Sequence, residues 1–138
     1  MGSLMKEAGG IQAVLDFIKS RVKSRRTAEL GIAALVAGID VATANNTIAI
    51  VMSGSIAKEI STEYDIDPRR TASLLDIFAS VVQGLIPYGA QLLYAAAGAT
   101  AIIQPAAISS VEIIPYMYYP ILMAVSALGF IFLSKEKK

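Results

Sequence analysis

Apolar positions recur along this chain in two different rhythms. From Gly10 to Arg26 (GIQAVLDFIKSRVKSRR), Ile11, Val14, Leu15, Ile18 and Val22 fall at helical spacing on one face. Asp16, Lys19, Arg21, Lys23 and Arg25 take the other. This pattern predicts an amphipathic helix from Gly10 to Arg26 within a cytoplasmic segment 1–26, either lying at the membrane interface or packed on protein as a connector. Beyond it the apolar stretches lose their polar face. Thr27 to Ala57 has only Glu29 near one end and Asp40 in its middle. One bilayer span needs about 20 residues and two need about 40, so this segment is long for one and short for two. Its centre, ATANNT over residues 42–47, is polar, and Asn and Thr side chains draw backbone hydrogen bonds away from a helix.

Residues 61–70 (STEYDIDPRR) form a polar loop in which Pro68 marks the start of the next helix. The second long apolar segment, 71–104, is interrupted by Gly84, Pro87 and Gly89 in GLIPYGA. Proline removes an N–H and glycine permits unusual dihedrals, which predicts one crossing helix broken at 84–90. Residues 105–115 are expected to connect on the outer side. Residues 116–134 form a last span, with Tyr116, Tyr118 and Tyr119 at an interfacial belt and the KEKK tail, 135–138, on the cytoplasmic side.

Charge decides how 27–60 runs. All 12 Lys and Arg lie at 6, 19–26, 58–70 and 135–138. A single crossing would divide them evenly between the two faces. A segment that enters and returns on one side places them all together, as the positive-inside rule favours. Residues 27–60 are therefore predicted to be a re-entrant helical hairpin with its tip near 45–47. Each arm of about 15 residues would reach about 22 Å. Irregular backbone at that depth is tolerated only when buried in protein or lining a water-filled cavity.

Composition agrees with a bilayer. The chain is 55% hydrophobic with a mean hydropathy of +0.59. Between Thr71 and Ser134 only Asp76 and Glu112 are ionised. The expected fold class is an all-α membrane protein: interfacial helix, re-entrant hairpin, broken transmembrane helix, final transmembrane helix. The chain has no Cys, His or Trp, which excludes thiol or imidazole catalysis and Cys/His metal centres. It is not expected to be an enzyme or to hold a cofactor. A net charge of +1 gives no reason to expect nucleic acid as a partner. The start, MGSLMKEAGG, has no apolar core after Lys6 and is not expected to act as a signal peptide.

Two interrupted apolar segments near a bilayer midplane point to a transport site. Unwound carbonyls, amides and hydroxyls can replace the water shell of a small cation. A carboxylate adds charge and can take a proton instead, which is the simplest chemistry for exchanging Na+ against H+. Asp40, one to two turns before the hairpin tip, is the first candidate for that carboxylate. Its alternative role is to cap a half-helix or bond a neighbour. Asn45, Asn46 and Thr47 ligate an ion, Asn46 and Thr47 together with Asp40, or cap the second half-helix, and both roles can hold at once. Asp76 shares a polar stripe with Ser80, Gln83 and Pro87, or else stabilises a helix start. Tyr88 and Gln91 flank the second break. Gly31, Ala34 and Gly38 are expected at a close helix contact, and Arg69 and Arg70 as topology anchors.

Three stretches, DVATANNTIAIVMSGSIAKEI (40–60), PRRTASLLDIFASVVQGLIPYGAQLL (68–93) and the closing YYPIL, resemble the C-terminal third of NhaC-type Na+/H+ antiporters, within the wider ion-transporter superfamily. The resemblance implies a multi-pass carrier of a bacterial or archaeal inner membrane with its C-terminus cytoplasmic, and a partial inverted-repeat transporter fold. It matches the hairpin-tip Asn-Thr motif to Asn46 and Thr47, and the broken-helix loop to Pro87, Tyr88 and Gly89. Such carriers are several times longer, so besides the lipid bilayer the expected partner is a missing N-terminal half or another copy of the chain. Na+/H+ exchange, Na+- or H+-coupled carriage of an organic acid or amino acid, and a non-transporting membrane subunit all remain open at this stage. The hairpin reading predicts that single cysteines at Ser61 and Lys135 react with an impermeant maleimide from the same side of the membrane. Labelling from opposite sides makes 27–57 a simple span.

Overall fold

A computed structural model describes residues 10–103 and 107–133. The described residues are helical and contain no strand. Helix α1 spans Gly10–Arg21. Ser24 then caps α2 (Arg25–Thr43), its hydroxyl accepting from the Thr27 N–H. Helix α2 stops at Ala44, which takes a left-handed conformation (φ 50°) and donates its N–H to the Asp40 carbonyl at 2.7 Å. Asn45 caps α3 (Asn46–Glu63), its Oδ1 accepting from the Ile48 N–H at 3.1 Å. A two-residue connection between helices that pack on one another makes an αα-hairpin. Asp67 caps α4 (Pro68–Leu85), with Pro68 in the first turn. Ile86 to Gly89 breaks the rod before α5 (Ala90–Ile102). Ser109 and Glu112 form a capping box on the short α6 (Ser110–Ile113), a 3-10 turn follows over Ile114–Tyr116, and α7 spans Tyr118–Leu133.

Helices α2, α3 and α4 pack as a three-helix bundle, and α7 lies against α4. The core joins Ile32 and Val36 of α2, Ile56 and Ile60 of α3, and Leu74 and Phe78 of α4. Ala28, Ala49, Ser53, Ala57 and Ala79 are buried between them, which lets the backbones approach closely. At the far end of α4 a Cβ on Gly84 would fall 2.8 Å from Pro120 Cγ. The proline ring of α7 therefore sits in a notch that only glycine leaves open.

Several boundaries differ from the sequence reading. The turn lies at Ala44–Asn45 rather than 45–47, because the Asn45 side chain starts α3 and places Asn46 and Thr47 inside it. Helix α3 runs on to Glu63, since the hydroxyls of Ser61 and Thr62 bond back to the Lys58 carbonyl instead of opening a loop. The second break is confined to 86–89, and Gly84 lies inside α4. Helix α7 begins at Tyr118, with Tyr116 in the 3-10 turn. Of Gly31, Ala34 and Gly38, Gly31 alone meets a neighbour. A Cβ on it would lie 3.1 Å from Ile18, while one on Gly38 would have nothing within 4 Å and Ala34 is exposed. The packed face of α2 is instead the one with Ile32, Val36 and Asp40. Residues 1–9, 104–106 and the tail 135–138 lie outside the described residues.

One stretch among the described residues is by itself long and apolar enough to cross a bilayer, Pro68–Ile102, 35 residues with a mean hydropathy of 1.3. The pair Ser110–Tyr116 and Tyr118–Leu133, bent by 54°, meets that standard only when taken together.

Arg70 is more than a topology anchor. Its Nη2 donates to Glu29 Oε2 at 2.7 Å, and its Nε faces the other oxygen. Its guanidinium also lies 4.5 Å over the Phe130 ring. Glu29 is only 2% exposed. This pair ties α2, α4 and α7 together at one end of the bundle. Removing one partner of a buried pair strands the other charge, so Glu29→Ala should lower unfolding stability in detergent by about 3–5 kcal/mol. The double variant Glu29→Leu/Arg70→Met should recover most of that loss. Ser61 is buried, so the topology label is better placed at exposed Thr62.

Candidate functional site

The two helix breaks meet. The last turn of α2 ends in carbonyls that have no partner further along the helix. Thr43 Oγ1 donates to the Ile39 carbonyl at 2.9 Å, and the Ala44 N–H satisfies that of Asp40. The other donors come from across the bundle. Tyr88 Oη donates to the Val41 carbonyl at 2.7 Å, and Gln83 Nε2 to the Ala44 carbonyl at 3.1 Å. The end of the first broken segment is thus capped by the second.

Asp40 lies beside this junction on the last turn of α2. It is 0% exposed, and neither carboxylate oxygen has a hydrogen-bond partner among the described residues. Gln83, 5% exposed, leaves its Oε1 equally unpartnered there. A buried ionised carboxylate without a partner costs several kcal/mol, so Asp40 calls for a cation or a proton. The helix end reinforces that demand, because the carbonyl terminus carries the negative end of the helix dipole. A carboxylate, an amide oxygen and a carbonyl-rich helix end are hard oxygen donors of the sort small cations take. No cluster of three or more His, Cys, Asp or Glu side chains that could hold a metal ion occurs among the described residues.

Gly89 shapes the junction without using glycine's dihedral freedom. Its φ of −70° suits any residue. A Cβ there would lie 3.1 Å from the Ile86 carbonyl oxygen, 3.2 Å from that of Gln83 and 3.3 Å from Gln83 Nε2. The break folds back so closely on Gln83 that a methyl group would press on two backbone carbonyls, which would have to give by a few tenths of an ångström. Gly84, too, serves close approach, so at both positions the expectation of unusual dihedrals gives way to packing.

The structure gathers Asp40, Gln83, Tyr88 and Gly89 at one place, with Pro87 half-buried in the break itself. Asn45 is exposed and acts as the α3 cap. Asn46 is half-buried and accepts from the exposed Thr47 at 3.4 Å. Asp76 is exposed and stands seven residues before Gln83, about 10 Å along the helix. Gln91 is exposed on the first turn of α5. Gln83 entered the sequence reading only as one member of a polar stripe. The available signal was a lone amide one residue before GLIP in an otherwise apolar run.

A helical chain with an apolar spanning stretch, two broken segments and a buried carboxylate between them has the build of a membrane transport protein. The sequence profile of the Na+/H+ antiporter family matches residues 1–135, and the chain belongs to that family. The family is one of transporters, not enzymes. No curated protein and no solved structure matches the chain.

Two glycines separate the role of the break from ordinary helix propensity. Gly89→Ala should cost about 1–3 kcal/mol through overpacking. Gly98→Ala, with nothing within 4 Å of the added methyl, should stabilise α5 by up to about 1 kcal/mol. Thermal unfolding of both variants in one detergent checks the contrast.

Proposed function

We propose that the chain carries the ion site of a Na+/H+ antiporter and that Asp40 is the group that alternates between Na+ and H+. The observation that supports this reading most is the fully buried Asp40 carboxylate with neither oxygen hydrogen-bonded. In one state the carboxylate holds Na+, with Gln83 Oε1 as a neutral second oxygen. In the other it holds a proton. One positive charge accompanies Asp40 in each state, so it never stands bare in a medium that cannot solvate it. Exchange then follows from competition of the two cations for one carboxylate.

The hairpin of α2 and α3 enters from the cytoplasmic side of a bacterial or archaeal inner membrane, since the basic residues flank its open end and not its turn. Asp76 lines the cytoplasmic approach. Asn46 and Thr47 lie at the start of α3, where backbone N–H groups carry the positive end of the dipole. The bilayer and a second, inversely oriented half, or another copy of the chain, complete the enclosure around the site.

Proteoliposomes test this directly. A Na+ gradient should drive proton movement, read with an entrapped pH dye, and Asp40→Asn should reduce it to the protein-free background while the purified variant elutes as the parent does. Asp76→Asn should slow the exchange without abolishing it. Undiminished exchange in Asp40→Asn removes Asp40 as the coupling group. Proton movement that appears only on addition of an organic acid or amino acid assigns the chain to solute carriage instead.

A further inference from the structure

A groove of about 380 Å³ lies between α1 and α2, away from Asp40. Its walls are Phe17, Ile18 and Val22 on one side and Leu30, Ala34 and Leu35 on the other. The lack of a side chain on Gly31 brings Ile18 close to α2, and Val22 is buried where the chain turns toward Ser24. Further out the groove stays open, and Phe17 is 65% exposed along it. Arg21 also lines the groove, with its guanidinium 5.7 Å over the Phe17 ring. Arg21 belongs to the run KSRVKSRR, residues 19–26, in which Arg25 is paired with Glu29 at 3.7 Å and Arg26 also has a partner.

An apolar slot with a guanidinium at its edge matches an anionic phospholipid, with a hydrocarbon tail for the slot and a phosphate for the cation. A peptide occupant fits less well, because its backbone N–H and C=O groups would meet walls that are apolar apart from Arg21 and Thr27. An acyl chain has no such groups. We propose that this groove holds one acyl chain of an anionic membrane phospholipid whose phosphate pairs with Arg21. The site is independent of Asp40 and does not rest on the exchange reading.

Native mass spectrometry of the full chain, equilibrated with equal amounts of phosphatidylglycerol and phosphatidylcholine of the same acyl composition, tests it. The parent should retain phosphatidylglycerol about fivefold over phosphatidylcholine, as expected for one basic residue close to the lipid phosphate. Arg21→Gln should bring the ratio close to one, and Arg21→Lys should keep the preference. Ala34→Phe, which fills the groove from an exposed position, should lower retention of both lipids with no change in melting temperature in lipid-free detergent. Equal retention of the two lipids by the parent overturns the proposal. So does a preference that survives Arg21→Gln, or full retention in Ala34→Phe.

Discussion

Backbone carbonyls shut away from water must find donors, and the end of α2 shows what this demands. The left-handed turn at Ala44 cuts the helix and strands the carbonyls of its last turn. Donors reach them from a residue just before the second break and another inside it. The two interruptions are therefore parts of one device, in which each supplies what the other lacks. The tight fold at Ile86–Gly89, the missing Cβ at Gly89 and the burial of Gln83 all follow from bringing those donors to α2.

Helix α2 carries two buried carboxylates with opposite fates. Glu29, near its start, is matched by Arg70 and backed by Phe130. Asp40 lies eleven residues on, about 16 Å along the axis, and has no such partner among the described residues. Glu29 is neutralised permanently by a residue of the protein, which suits a structural joint. Asp40 is left for something that can come and go, which suits the exchange proposed here. The same carboxylate group serves both ends, and the neighbours decide the role.

Much of this was legible in the chain and some was not. The interruptions showed plainly, since ANNT and GLIPYG each break a long apolar run. Asp40 stood out because a carboxylate there has no solvent to face. The residue at the turn was not legible: Ala44 takes the left-handed position without any of the Gly or Asn signal that normally marks it, while Asn45 is drawn into capping α3. The glycines marked the break, but their purpose was not legible, because proximity to Pro120 and Gln83 depends on how helices pack and local sequence does not encode it. The Glu29–Arg70 pair joins residues 41 positions apart, and no spacing rule within a helix links them.

The Gly84–Pro120 contact has a mechanical consequence. A rigid five-membered ring seated in a side-chain-free notch resists both sliding and rotation, since either motion drives ring carbons into backbone. Arg70 and Phe130 grip the other end of the same two helices. Fastened at two separated points, α4 and α7 behave as a single beam. Rearrangement around that beam is left to the joints at its ends, at Tyr64–Asp67, at Ile86–Gly89 and at the bend of Met117, and the buried Asp40 of α2 lies beside the second of these.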